Sequence, residues 1–143
     1  MSARLHTLLT PNPLSVEAAQ RFCIDAAAGA VVVFTGTVRD HSEDRSVAGL
    51  TYEAYEERAT AQLDQLAAEV AVRFPASVAV WLEHRVGSLS VSEPAVVVAV
   101  SSAHRHEAFE AARWAIDTLK AEVSIWKQEH WADGAAHWPG SPV

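Results

Sequence analysis

The sequence predicts a single α+β domain, and three observations carry the prediction. Half of the 143 residues are hydrophobic and 20% are charged, a balance that excludes disorder as the main state. Apolar residues recur at helical spacing in three segments, and runs rich in β-branched residues separate those segments. No internal repeat or linker-like stretch divides the chain, so residues 1–143 are expected to fold as one unit.

Three helices are predicted from capping residues and apolar stripes. The first begins at the N-cap residue Ser15 and is expected to end near Gly29. The second carries an apolar stripe that Pro75 ends, and the third is capped by Ser101 or Ser102. Five side chains of the third helix are expected to face inward: Ala108, Phe109, Ala112, Ile116 and Leu119.

Five segments are predicted as strands because they are rich in β-branched residues or alternate between two faces. These segments are 30–38, 50–56, 78–85, 95–101 and 123–131. The polar run at about 40–47 is expected to be a flexible loop. The tail at about 132–143, which contains two glycines and two prolines, is expected to be loosely ordered.

Composition argues against several classes of protein. With 11 basic and 18 acidic residues the formal net charge is −7, which argues against a nucleic-acid-binding surface. The longest apolar stretch, 26–34, is too short for a membrane span, and the N-terminus lacks a signal-peptide pattern. Cys23 is the single cysteine, and its apolar helical surroundings predict a buried, inert thiol. The cytoplasm is therefore the expected compartment.

The sequence predicts neither a metal nor a cofactor. Gly36 and Gly87 have no phosphate-loop pattern around them. His104 and His106 stand at a spacing that can hold a metal, but two histidines without a nearby cysteine or third histidine are weak evidence for a metal site.

The eleven basic residues are nine arginines and two lysines, Lys120 and Lys127. Unlike arginine, lysine can lose its proton when it is crowded or desolvated, and can then act as a base or a nucleophile. The two ammonium groups can converge if the chain reverses between them. Spacing alone leaves a functional pair and two solvated charges as equal alternatives. Trp126, Trp131 and Trp138 lie near the lysines in sequence and either wall a pocket for a flat ring or pack in the core.

Three further residues are candidates for binding an anion. His104 and Arg105 stand at the predicted start of the third helix, where free backbone N–H groups and the helix dipole favour negative charge. Arg39 directly follows a predicted buried strand, in a position where binding residues collect. The alternative is that all three are ordinary exposed side chains.

Five ordered motifs resemble the catalytic large subunit of molybdopterin synthase, the MoaE-like family. They extend over nearly the whole chain, from about the first helix to Trp138. In order they are FTGTVRD at 34–40, LTYEAY at 50–55, HRVG at 84–87, SAHR with the following AF at 102–109, and KAEVSIWKQE at 120–129. Two departures are Ser124, where the family usually has proline, and Glu43-Asp44, where a glycine is common.

The resemblance implies a fold, an activity and partners. The fold is of the α/β-hammerhead type, with mixed or antiparallel sheets and about three helices packed on them. The activity is sulfur transfer in molybdenum cofactor biosynthesis, in which cyclic pyranopterin monophosphate receives two dithiolene sulfurs and becomes molybdopterin. The sulfur comes from a small ubiquitin-like carrier subunit whose C-terminal Gly-Gly bears a thiocarboxylate. The large subunit is expected to form a homodimer within a heterotetramer.

The resemblance also assigns residues. Lys120 and Lys127 fall on the family's catalytic lysines. The positions that it marks as substrate-binding are Thr37, Val38, Arg39, His104, Arg105, Gln128 and Glu129. Two alternatives belong to other classes: a non-catalytic subunit that docks the carrier tail, and a Schiff-base lysine enzyme. The presence of Arg39 and both lysines argues against the first, and the short chain argues against the second.

Overall fold

Nine strands and three helices occupy residues 2–138, the part of the chain that the computed structural model describes. In chain order they are β1 (Arg4–Thr10), α1 (Val16–Cys23), β2 (Ala30–Thr37), β3 (His41–Ser42), β4 (Arg45–Ala54), α2 (Glu56–Arg73), β5 (Ser77–Arg85), β6 (Gly87–Ser90), β7 (Pro94–Ser102), α3 (Arg105–Glu122), β8 (Ile125–Trp131) and β9 (Ala136–His137). This content confirms the predicted α+β class.

Two sheets organise the fold. The first has the strand order β1-β5-β7-β2, in which β1 is parallel to β5 and the other neighbours are antiparallel. The second has the order β3-β4-β8-β9, with β6 also paired to β4. Helices α2 and α3 cover one face of the first sheet, and α1 covers the other.

Alternation along β5 divides the interior into two cores. Val80 and Leu82 face the main core under α2 and α3, whereas Ala79 and Trp81 face the smaller core under α1. The main core also takes side chains from the second sheet: Leu50 and Tyr52 of β4 and Leu89 of β6, together with Ile125 and Trp131 of β8. The two sheets therefore share one interior, and the strands that follow α3 are packed onto it.

The first helix is shorter than predicted. It begins at Val16, with the Ser15 hydroxyl accepting the Ala18 N–H, but it ends at Cys23 rather than near Gly29. Beyond it, the Asp25 carboxylate accepts the Ala27 N–H at 2.8 Å and holds a turn there.

The predictions for the third helix are partly wrong. Ser101 and Ser102 are buried residues of β7, and α3 begins at Arg105 with His104 as its N-cap. Phe109 is 61% exposed because it follows the inward Ala108 by one residue, about 100° around the helix. The other four side chains predicted to face inward are buried.

The sequence missed β1 and β6, and it predicted a loop where β3 and the start of β4 form a hairpin. In that hairpin His41 and Ser42 pair with Ser46 and Arg45, and both turn residues, 43 and 44, have positive φ. The predicted loose tail contains β9, which pairs with β8. Residues 139–143 of that tail lie outside the described residues.

Candidate active site

Lys127 lies on the inward face of β8. Its strand neighbours Ile125 and Glu129 are buried, and Lys127 itself is half-buried. Across the β4–β8 ladder, Lys127 is opposite Tyr52, and Glu129 is opposite Leu50. A lysine on this face is partly desolvated by the packed side chains around it, and desolvation destabilises its charged form.

The pKa of Lys127 lies below its ordinary value, and burial is the main cause. The positive charges of Lys120 and Arg39 lower it further, while the Glu129 carboxylate acts in the opposite direction. Glu129, Lys120 and Arg39 are therefore each within electrostatic reach of Lys127, although three different parts of the chain contribute the four groups. We call Arg39, Lys120, Lys127 and Glu129 the cationic cluster.

The chain reverses between the two lysines, as their convergence requires. Lys120 is exposed in the last turn of α3, and Val123 ends that helix in an extended conformation. Gln62 of α2 clamps the reversal, because its side-chain oxygen accepts the Ser124 N–H at 2.8 Å and its amide donates to the Glu122 carbonyl at 3.1 Å. This clamp holds the turn at the position where the resembled family usually has proline.

Arg39 leaves the end of β2 from a buried anchor. Val38 is 3% exposed and belongs to the main core, and its N–H and carbonyl are hydrogen-bonded to backbone groups of Glu93 and Ser92. The exposed side chains on either side are Thr37 and Arg39. Val38 thus supports Arg39 from the core, and its side chain is not presented at the surface.

Gln128 and Glu129 point to opposite faces of β8. Glu129 is 5% exposed and shares the face of Lys127, whereas Gln128 is half-buried and opposite Thr51. Its strand neighbour on that other face, His130, is hydrogen-bonded to the Thr51 hydroxyl at 2.7 Å. Of the two residues, only Glu129 belongs to the cationic cluster.

His104 and Arg105 are not brought to the lysines within one chain. They stand at the start of α3 and Lys120 in its last turn, so the helical rise separates Arg105 from Lys120 by about 22 Å. Both line an open depression of about 510 Å³ together with His106 and Phe109.

The three tryptophans near the lysines differ in environment. Trp131 is buried, with the Arg45 guanidinium 4.4 Å from its ring centroid and the His137 ring stacked on it. Trp126 meets the Tyr55 ring edge-on at 5.2 Å, and Trp138 is exposed. Packing therefore accounts for Trp131.

Two buried polar residues beside the cluster were not found by sequence reasoning. Tyr52 and His84 meet edge to face with ring centroids 5.0 Å apart. Burial raises the pKa of Tyr52 to about 12, with the Glu129 carboxylate as a second cause. Burial lowers the pKa of His84 to about 4, and the charge of Lys120 lowers it further. The sequence signal was present, since a titratable residue stood in an otherwise apolar strand face at each position.

Acidification below pH 6.5 is expected to destabilise the fold through His84. The folded protein keeps this imidazole neutral down to about pH 4, whereas the unfolded chain binds a proton near 6.5. As the pH is lowered from about 6.5 to about 4, the free energy of unfolding should therefore decrease, by up to about 1.4 kcal/mol per pH unit. Asp25, Asp40 and Asp133 have pKa values lowered from 3.8 and titrate below the window.

Urea unfolding at a series of pH values between 7 and 4 measures this slope. His84→Gln, which cannot gain the proton, should flatten it. An equally steep slope in the variant would assign the acid sensitivity to another group.

Neither a metal centre nor a membrane segment is evident in the described part of the chain. Residues 2–138 contain no group of three or more His, Cys, Asp or Glu side chains arranged to hold a metal ion. None of their helices is long and apolar enough to cross a membrane.

The fold and the cationic cluster define a class: an α+β protein in which the charges of a second lysine and an arginine reach a half-buried lysine. The family model described as MoaE protein matches residues 9–122. The chain therefore belongs to the MoaE family of molybdopterin synthase catalytic subunits, which confirms the prediction of an enzyme in molybdenum cofactor biosynthesis.

Relatives and solved structures agree with this assignment. A molybdopterin synthase catalytic subunit from Nostoc is 45% identical over 130 residues, covering 91% of this chain and 79% of the relative. The crystal structure of molybdopterin synthase from Staphylococcus aureus matches with a TM-score of 0.86 and 39% identity, covering 92% of this chain and 95% of that one. A complex of subunits 1 and 2 of molybdopterin-converting factor from Helicobacter pylori matches in fold, with a TM-score of 0.73 and 20% identity over 95% of this chain and 90% of that one.

Proposed function

We propose that this chain catalyses sulfur transfer from a thiocarboxylated carrier to cyclic pyranopterin monophosphate, giving the molybdopterin dithiolene. The cationic cluster supports this proposal most directly. The positive charges of Arg39 and Lys120 both act on Lys127, in a chain whose formal net charge is −7. Both reactants are anions, a phosphate ester and a thiocarboxylate, so a local reversal of charge is what their meeting requires.

The exposure of each lysine suggests its role. Lys120 is exposed at the end of α3, and we assign to it the contact with the acyl end of the carrier tail. Lys127 is half-buried with a lowered pKa, so it can exchange a proton as the cyclic phosphate ester opens. Arg39 binds the phosphate, and the Glu129 carboxylate, on the same strand face as Lys127, favours the charged form of that lysine. Thr37, two residues before Arg39, remains a proposed substrate contact, and so does Gln128 on the opposite face of β8.

We also propose a homodimer, because one chain leaves His104 and Arg105 far from the lysines. β2 is an edge strand of the first sheet, and its valines are half-buried while Phe34 is exposed. An edge of this kind favours pairing with a second copy about a two-fold axis.

Antiparallel pairing of two β2 strands would bring His104 and Arg105 of one copy toward Arg39 of the other. The start of β2 is tied to the end of β7, since the Gly29 N–H donates to the Ser102 carbonyl at 3.0 Å, and His104 lies two residues after Ser102. The other end of β2 leads to Arg39, about 23 Å away for a strand of this length. The two-fold axis would therefore place His104 and Arg105 of one copy beside Arg39 of the other, where they can bind the substrate.

The partner that we propose is the small ubiquitin-like carrier, bound once to each copy in a heterotetramer. The fold match to a structure containing both subunits of the Helicobacter pylori factor is compatible with such an assembly. Cys23 is buried, and burial raises its pKa to about 11, so this thiol is a poor sulfur donor. Sulfur supplied by a partner fits that observation, and a free thiol fits the cytoplasm.

A turnover assay tests the proposal. Purified protein is mixed with carrier bearing a C-terminal thiocarboxylate and with cyclic pyranopterin monophosphate, and dithiolene formation is measured. Product should form with this carrier and not with the same carrier ending in an ordinary carboxylate. Carrier binding without substrate binding or product would instead support the alternative of a non-catalytic docking subunit.

A further inference from the structure

Tyr52 is the cross-strand partner of Lys127 in the second sheet. The two residues are direct partners in the antiparallel β4–β8 ladder, so their side chains rise from the same face with Cβ atoms about 5 Å apart. Tyr52 is 6% exposed and belongs to the main core. The ring of Tyr52 therefore occupies volume that water would otherwise fill beside the lysine stem.

His84 holds the Tyr52 ring from the first sheet. Its ring is fully buried and lies nearly perpendicular to that of Tyr52, at 75° and 5.0 Å between centroids. Its Nδ1 lies 2.7 Å from the Arg85 carbonyl oxygen, which can only accept, so Nδ1 carries the proton. Nε2 is then an unprotonated, buried nitrogen without a hydrogen-bond partner among residues 2–138.

A buried acceptor without a partner is a local cost that cores rarely retain. The unpaired Nε2 belongs to the ring that packs against Tyr52, and Tyr52 is the cross-strand partner of the half-buried Lys127. The proposed function gives no role to either ring, although Tyr52 is the cross-strand partner of Lys127 and His84 packs against Tyr52.

We propose that Tyr52, braced by His84, is the positioning residue for Lys127: the pair of rings shields the lysine stem from water and holds it against β8. This inference rests on the proposed function only in taking Lys127 as a reacting group. The shielding itself is a property of the free protein.

The charged and titratable groups around Lys127 come from four directions. Glu129 lies on the same strand, Tyr52 on β4, Lys120 at the end of α3 and Arg39 after β2. Burial lowers the pKa of Lys127 more than any of these charges does. Loss of the Tyr52 ring would admit water while leaving the charges in place, and would therefore raise the pKa of Lys127 toward its ordinary value.

Competitive labelling can measure this effect without carrier or substrate. The chain has two lysines, so trace acetylation with acetic anhydride, read by mass spectrometry, gives the reactivity of Lys127 with Lys120 as internal reference. In Tyr52→Ala the pH at which Lys127 is half-reactive should rise by about half a pH unit or more. Tyr52→Phe keeps the ring and should behave as the wild type.

Two further variants keep the test decisive. Tyr52→Leu retains apolar volume if the alanine variant fails to fold, and it should shift the labelling midpoint in the same direction by a smaller amount. Tyr55→Ala removes an exposed tyrosine beyond the same strand and should leave the midpoint unchanged. An unshifted midpoint in folded Tyr52→Ala or Tyr52→Leu would overturn the inference.

The turnover assay separates this inference from the proposed function. A wild-type protein that makes no dithiolene, together with a shifted labelling midpoint in Tyr52→Ala, would refute the function and keep the positioning role. If the function holds, the pH profile of turnover should move to higher pH in Tyr52→Ala and return with Tyr52→Phe, which a merely structural loss would not produce.

Discussion

Replacing Lys120 by alanine is expected to lower turnover by about 10²–10⁴-fold, the range that a positioned proton-transfer or charge-stabilising group contributes. Lys120 is exposed at the end of α3, so its removal leaves the core intact and the free energy of unfolding nearly unchanged. Single-turnover dithiolene formation with thiocarboxylated carrier measures the loss.

Two further variants serve as controls for the loss of turnover in Lys120→Ala. Arg113→Ala removes one exposed cation from the same helix, outside the cationic cluster, and should retain turnover within about twofold. Lys120→Arg keeps the charge but cannot give up its proton, so it separates charge from proton transfer. Full turnover by Lys120→Ala would remove Lys120 from the reaction.

Mixing two inactive variants is expected to restore activity if the site is shared between copies. In a heterodimer of Lys120→Ala with Arg105→Ala, one site carries both substitutions, while the other combines an intact Lys120 with an intact Arg105. Random exchange of subunits makes half of the dimers mixed, so about a quarter of the wild-type activity should return.

The same experiment distinguishes the alternatives. If His104 and Arg105 act within their own chain, every site in the mixture carries a substitution and activity stays at the level of the separate variants. Mixing Lys120→Ala with Lys127→Ala is the matched negative control, because the two lysines of each site come from the same copy. In that pair each site carries one of the two changes, so activity stays at the level of the separate variants even when dimers exchange, and a recovery of activity would contradict the shared-site arrangement.

Most helices and strands were predicted from the sequence because the spacing of apolar residues along each of them fits either a helix or a strand, but not both. Strands β2, β5, β7 and β8 lie within two residues of their predicted bounds. The errors arose where local spacing does not decide the outcome. Strand β1 is defined by parallel pairing with β5, far along the chain, and Phe109 is exposed although its spacing resembles that of buried neighbours.

The candidate site was predictable as a set of residues but not as an arrangement. Lys120 and Lys127 were identified because lysine is scarce in this chain, and Arg39 because it ends a buried strand. The separation of Gln128 from Glu129, and of His104 and Arg105 from the lysines, depends on strand alternation and helix length in three dimensions. Tyr52 and His84 were missed because a burial cost can be assessed only once the packing around a side chain is known.

The sequence by itself determined the fold class, the presence of a single cysteine, the net charge of −7 and the family, since each of these follows from residue types, their counts and their order. Only the tertiary structure decided that a chain so acidic carries a cationic cluster, because charges brought together from β8, α3 and the end of β2 act through space and not along the chain. Burial then set the protonation of Lys127, and burial is a property of the packed sheets rather than of any local segment.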